Sequence, residues 1–160
     1  MTDTGMTETG ITRAGESLEN IAWSIMGQTY KPIQRSDSSF AFDTLFPPGT
    51  FVPPHIHPDQ DEYIRVLEGT FDLWLDGTDL QATAGDLIRL PRGSKHGIFN
   101  RSPAPTKALF WVAPAQQLYD LFVQLDGLQD PAEAVQRAAA LNIHFLPPDQ
   151  WPADRYLPPQ

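Results

Sequence analysis

Apolar and polar positions along the chain change rhythm twice. From Phe40 to about Val112 the apolar residues come in short runs with alternate positions apolar, the period of a strand with one buried face. Phe40, Phe42 and Phe46 share a parity with Thr44, which predicts a strand that Pro47-Pro48-Gly49 ends. Residues 62–67 and 71–75 predict the next strands, turned at Glu68-Gly69, and Asp76-Gly77 marks a hairpin. Residues 80–83, 86–90, 97–100 and 107–112 complete the series, and a short lead-in strand is expected near Trp23 to Met26. Past Pro114 the spacing lengthens. Leu118, Leu121, Phe122 and Leu125 predict an amphipathic helix over 115–126. A second helix is expected from Pro131 to about Leu141, with Asp130 as N-cap and Pro131 in the first helical position.

Short strands at regular spacing, with Gly and Pro between them, indicate an all-β sandwich or barrel. The expected division is a flexible segment at 1–16, a β-barrel at 17–114, a helical extension at 115–146 and a Pro-rich, extended tail at 147–160. No internal repeat is visible. At 160 residues, one domain is the natural expectation.

Composition narrows the function. A formal charge of -9 argues against nucleic acid, because phosphate binding needs a basic surface. No apolar run is long enough to span a bilayer. Met1 to Thr12 lacks a basic segment followed by an apolar one, so no secretory leader is expected and a cytoplasmic protein is the simplest reading. Asn100-Arg101-Ser102 then matches a glycosylation acceptor by coincidence. With no cysteine, disulfides and thiolate ligands are excluded.

The chain has 4 histidines. Three of them, His55, His57 and His96, fall with Glu62 in two short stretches, 49–69 and 85–100. His55 and His57 leave the same face of an extended backbone. Glu62 has the wrong parity for that face, and the turn formers Pro58-Asp59-Gln60-Asp61 bring it back. His96 follows another turn, Pro91-Arg92-Gly93. Together these residues supply imidazole nitrogen and carboxylate oxygen to one divalent transition metal: iron, nickel, manganese, cobalt, copper or zinc.

Gly49, His55, His57, Glu62 and Gly69 at their spacing resemble the first cupin motif, and Gly85, Pro91, Gly93, His96 and Asn100 resemble the second. Every motif position matches, and the resemblance extends more loosely over 36–113. It implies a cupin double-stranded β-helix, a jelly-roll barrel, here followed by C-terminal helices. It also implies that His55, His57, Glu62 and His96 hold the metal. Gln60-Asp61-Glu62-Tyr63, Val66-Leu67-Glu68-Gly69 and Ile143-His144-Phe145-Leu146-Pro147-Pro148 are similar to single-domain bacterial cupins of the quercetin 2,3-dioxygenase-like kind.

That likeness implies a metal-dependent dioxygenase acting on a small aromatic or enolic substrate. Protein ligands leave open positions on an ion that accepts more than four, where an enolate oxygen and dioxygen can meet. Three neutral imidazoles and a carboxylate leave about +1 on a divalent ion, which favours an anionic oxygen. Glu62 either stays a ligand or acts as catalytic base. Phe40, Phe42, Phe46, Phe51, Phe71, Phe99 and Phe110 are candidates for an apolar pocket wall. Asp61, Tyr63, Arg65, Arg92, Lys95 and His144 are expected to face away or sit in turns. The alternatives are an oxygen-independent isomerase, cyclase or lyase, and a non-catalytic small-molecule-binding cupin. A homodimer is expected, with the lead-in strand near Trp23 and the helix at 115–126 as contacts, because open sheet edges need cover.

Overall fold

The computed structural model describes residues 8–158; residues 1–7 of the segment expected to be flexible, and the last two of the tail, lie outside the described residues. Among the described residues, eleven strands form two antiparallel sheets. They are β1 (Trp23–Ile25), β2 (Gln28–Arg35), β3 (Phe40–Phe46), β4 (Phe51–Ile56), β5 (Asp61–Glu68), β6 (Thr70–Leu75), β7 (Thr78–Thr83), β8 (Leu87–Leu90), β9 (His96–Phe99), β10 (Thr106–Ala113) and β11 (His144–Phe145). One sheet runs β1-β2-β3-β10-β5-β8 and the other β11-β4-β9-β6-β7. This two-sheet arrangement is the expected jelly roll. Sequential neighbours such as β4 and β5 lie in different sheets, so the turn at 57–60 carries the chain from one layer to the other.

Alternation along β3 sends Phe40, Phe42, Thr44 and Phe46 into the interior, where Val66, Phe71, Ile98 and Phe110 meet them. Burying each such side chain contributes about 1.5–3 kcal/mol. Two helices close one end. Helix α1 (Leu118–Leu125) buries Leu118, Leu121, Phe122 and Leu125, and the Phe122 ring lies 4.9 Å from Phe42 and 5.0 Å from Tyr30. Helix α2 (Pro131–Ala140) begins as its sequence predicts, with the Asp130 side chain accepting from the Ala132 amide.

Two expectations change. Strands β2 and β4 form where no strand was expected, although each contains proline. The segment from Pro147 is not extended throughout: residues 148–150 form a 3₁₀ turn and Ala153–Tyr156 a short helix, α3. Trp151 and Tyr156 are buried there against Trp74 and Phe99. The two segments expected at a homodimer contact also pack within the chain. The apolar stripe of α1 covers the barrel end. The free edge of β1 is capped, since the Ser24 amide donates to the Asp126 carboxylate at 2.8 Å and the Ser24 carbonyl accepts from the Gly127 amide at 2.8 Å.

Candidate metal centre

Strand pairing explains how four residues far apart in sequence meet. His55 on β4 and His96 on β9 are direct cross-strand partners. His57 lies just beyond β4, and the turn that follows delivers Glu62 from β5 in the facing sheet. Further bonds hold these segments together. Gly93 donates its amide to the His57 carbonyl at 3.1 Å, and Gly49 donates to the Asn100 carbonyl at 2.8 Å. The Asn100 side chain is fully buried and staples the following turn, donating to the Phe46 and Ala104 carbonyls and accepting from Ser102. Gly69, at φ +83°, has no room for a side chain: a Cβ would come within 2.8 Å of the Pro105 carbonyl oxygen.

His55, His57, Glu62 and His96 are all buried, and one donor atom from each lies within 4.8 Å of every other. Each imidazole is oriented through its Nδ1. His55 Nδ1 faces the Pro53 carbonyl at 2.8 Å, His57 Nδ1 the Gln60 Oε1 at 2.9 Å, and His96 Nδ1 the Ser94 carbonyl at 3.3 Å. A carbonyl can only accept, so His55 and His96 carry their proton on Nδ1. Gln60 is equally constrained: its amide nitrogen donates to the Pro114 and Ala115 carbonyls at 3.1 and 2.8 Å, so its oxygen accepts from His57. All three rings therefore keep a bare Nε2 lone pair for a cation, the arrangement by which outer partners set metal-binding tautomers.

The inner atoms are left short of partners. His96 Nε2 and Glu62 Oε2 are 2.9 Å apart, yet they form no hydrogen bond and remain buried without one. His57 Nε2 lies 3.7 Å from the same oxygen. Lone pairs converging this closely in a dry place are what a shared cation reconciles, since neighbouring ligands on bonds of about 2.1 Å sit roughly 3 Å apart. The four residues thus fit one divalent ion. Electrostatics agree. Burial, then the neighbouring His96 and His57, holds the His55 imidazole well below its ordinary range. Burial also lowers His57, against the pull of Glu62. Burial alone would raise the Glu62 carboxyl, but His57 and His96 outweigh it and hold the group below the usual carboxylate range. Burial thus favours the neutral form of His55 and His57 beside an ionised Glu62, the states in which these groups bind a metal.

A cavity of about 110 Å³ opens beside the cluster. His55, His57 and Glu62 line it together with Phe42, Phe51 and Phe110. The other candidate wall residues do not: Phe40, Phe46 and Phe71 are core, and Phe99 lies under Trp151 and Tyr156. Sequence reasoning missed Tyr30, Phe122 and Phe145, which do line the cavity. The helical period pointed to a buried Phe122; nothing local marked the other two. Asp61 accepts from the Arg92 amide in the turn, Tyr63 stacks on Trp111 and Arg65 donates to the Gly85 carbonyl, all away from the cluster. His144 is exposed and bonded to Asn142. No helix among the described residues is long and apolar enough to cross a membrane.

Comparison with known proteins agrees with this geometry. Residues 42–112 match the Cupin domain family. The chain is 28% identical over 88 residues to the tetracenomycin polyketide synthase protein TcmJ of Streptomyces glaucescens, covering 54% of this chain and 59% of that protein. It is 29% identical over 114 residues to the oxidoreductase iacF of Pestalotiopsis fici, covering 64% and 55%. It therefore spans less than two thirds of the length of these relatives. Among solved structures, KdgF from Halomonas sp. matches with a TM-score of 0.61 at 21% identity, over 69% of this chain and 99% of that one. An RmlC-like cupin from Shewanella frigidimarina matches with a TM-score of 0.62 at 20% identity, over 71% and 98%. At such identities these structures show the fold.

Proposed function

We propose that the chain, whose residues 42–112 match the Cupin domain family, is a cupin and a metal-dependent enzyme, a dioxygenase acting on a small aromatic or enolic substrate. The observation that carries this reading is the convergence of His55, His57, Glu62 and His96 within 4.8 Å at the wall of an apolar cavity. The likeness to an oxidoreductase supports the reaction class. A divalent ion held there would supply Lewis acidity towards an anionic oxygen of the substrate.

The chain's own residues do the rest. The aromatic wall excludes water and holds a flat ligand. The Nδ1 contacts of the three histidines aim Nε2 inward, and burial favours the neutral form of His55 and His57. Glu62, ionised and with Oε2 lacking a hydrogen-bond partner, is placed to take a hydroxyl proton from the substrate as general base. Size selects the substrate class. At about 110 Å³ the cavity is smaller than the roughly 150 Å³ that holds benzene in an engineered protein, so a three-ring flavonol is disfavoured against a compact enol or single ring.

A second reading, an oxygen-independent isomerase, cyclase or lyase with Glu62 as base, draws on the likeness to a polyketide synthase protein. Oxygen uptake separates the two. Iron-, manganese- or nickel-loaded protein should consume oxygen in proportion to a single-ring enediol or catechol, and His96→Ala should abolish both metal retention and uptake. Substrate conversion without oxygen uptake would replace the first reading by the second, and full metal retention in His96→Ala would overturn both.

A further inference from the structure

Among the described residues, the cavity wall contains one polar feature outside the metal cluster. Besides His55, His57 and Glu62, the polar side chains lining it are Gln28 and Tyr30. Both lie on β2, three strands from the Glu62 strand in the same sheet, and both are buried, at 1% and 5% exposure. Their bonding has only one consistent direction. The Phe51 carbonyl can only accept, so it receives the Gln28 amide nitrogen, 2.9 Å away. That orients the Gln28 oxygen toward the Tyr30 hydroxyl at 2.6 Å, and the hydroxyl must donate to it. Tyr30 has then spent its proton, and its oxygen retains acceptor lone pairs in an apolar chamber. Burial, with the Glu62 carboxylate nearby, pushes the phenol up, so it stays protonated and the direction of the chain of bonds holds.

A buried polar pair is costly in a wall that aliphatic or aromatic residues could fill. We propose that Tyr30, oriented by Gln28, is a specificity-determining residue that accepts a hydrogen bond from a second hydroxyl or N–H on the substrate, at a point removed from its metal-binding oxygen. The substrate class is thereby narrowed to single-ring enols or phenols that carry an additional donor. This rests on the metal-centre reading above, and the test separates the two.

Zinc-loaded wild-type protein is titrated by calorimetry with kojic acid, its deoxy analogue allomaltol, and chlorokojic acid. All three are single-ring hydroxypyranones with the same adjacent hydroxyl and ketone oxygens for a metal. Only kojic acid carries a further hydroxyl across the ring; the chlorine compound fills that space without a proton to donate. Kojic acid should bind about tenfold tighter than either analogue, the effect of one well-placed hydrogen bond. In Tyr30→Phe the affinities for kojic acid and allomaltol should converge. Equal affinities in the wild-type protein, or a preference that survives Tyr30→Phe, would overturn the role of Tyr30 and leave the metal centre standing. Failure of all three compounds to bind would overturn the metal-centre reading with it. The wild-type series needs no variant, so poor folding of Tyr30→Phe does not spoil the test.

Discussion

At the scale of single residues, Gln60 is the least visible part of the site and among the most constrained. Its side chain makes three polar contacts at 2% exposure, two as donor and one as acceptor. Replacing it by leucine removes the acceptor that fixes the proton on His57 Nδ1. The ring is then free to put that proton on Nε2, where it blocks a cation. Gln60→Leu should weaken zinc or cobalt binding by about 10- to 100-fold, the usual loss for an outer partner of a metal-binding histidine. Competition with a calibrated chelator measures it. A lowered melting temperature with unchanged metal affinity would reduce Gln60 to a packing residue. The four inner residues were legible in the sequence, because histidines concentrated between turn formers are a rare composition. Gln60 read only as a turn former. Its role comes from a long-range bond to 114–115, which no local pattern announces.

At the scale of elements, what was legible depended on how each strand is buried. β3 and β10 alternate cleanly because one face meets the core. β2 hid because its inward residues, Gln28, Tyr30 and Pro32, are not aliphatic; the places of Gln28 and Tyr30 were given over to the cavity wall. β4 hid behind Pro53-Pro54, which ordinarily demote a strand. Here the pairing with β9 skips both prolines, with a register shift between Val52 and His55, and the Pro53 carbonyl serves His55 instead. The C-terminal segment was misjudged because proline content signals extension. Two aromatics override it: Trp151 and Tyr156 cover Phe99, whose ring is 4.4 Å from Tyr156, and the Tyr156 hydroxyl donates to the Leu73 carbonyl at 3.2 Å and to Asp79. Trp151→Ala should cost about 3 kcal/mol, which is roughly 6–12 °C in Tm for a chain of this size. Zinc affinity should stay the same, because Trp151 packs on the face of β9 opposite to His96. A thermal melt with no shift would mean that the segment is not docked in solution.

At the scale of the whole molecule, the metal centre sets how stability depends on pH and on cations. His55 and His57 are held below the ordinary imidazole range in the folded chain, whereas the unfolded chain titrates near 6.5. As pH falls below about 6.5, the unfolded state takes up protons that the folded state refuses, so stability declines with acid. Glu62 acts in the same direction at lower pH: its folded carboxyl lies below its unfolded value, so its contribution is present above about 4.3 and is lost as pH drops through the folded value. Metal-free protein should therefore show a flat Tm above pH 7 and a falling one from pH 6.5 towards pH 5. A cation adds stability because it binds the folded cluster alone. At a free concentration of 100 times its Kd the gain is about 2.7 kcal/mol, or roughly 5–11 °C. Protons compete with it for the same imidazoles, so the metal-dependent gain must shrink over the same acid window. Melting curves at pH 7.5 and 5.5, with zinc and with chelator, measure both effects. A metal-free Tm that does not change between those pH values would mean that the imidazoles titrate freely and that the cluster is not the dry, neutral cage described. A zinc-dependent gain that persists undiminished at pH 5.5 would place the cation on carboxylates elsewhere on this acidic surface.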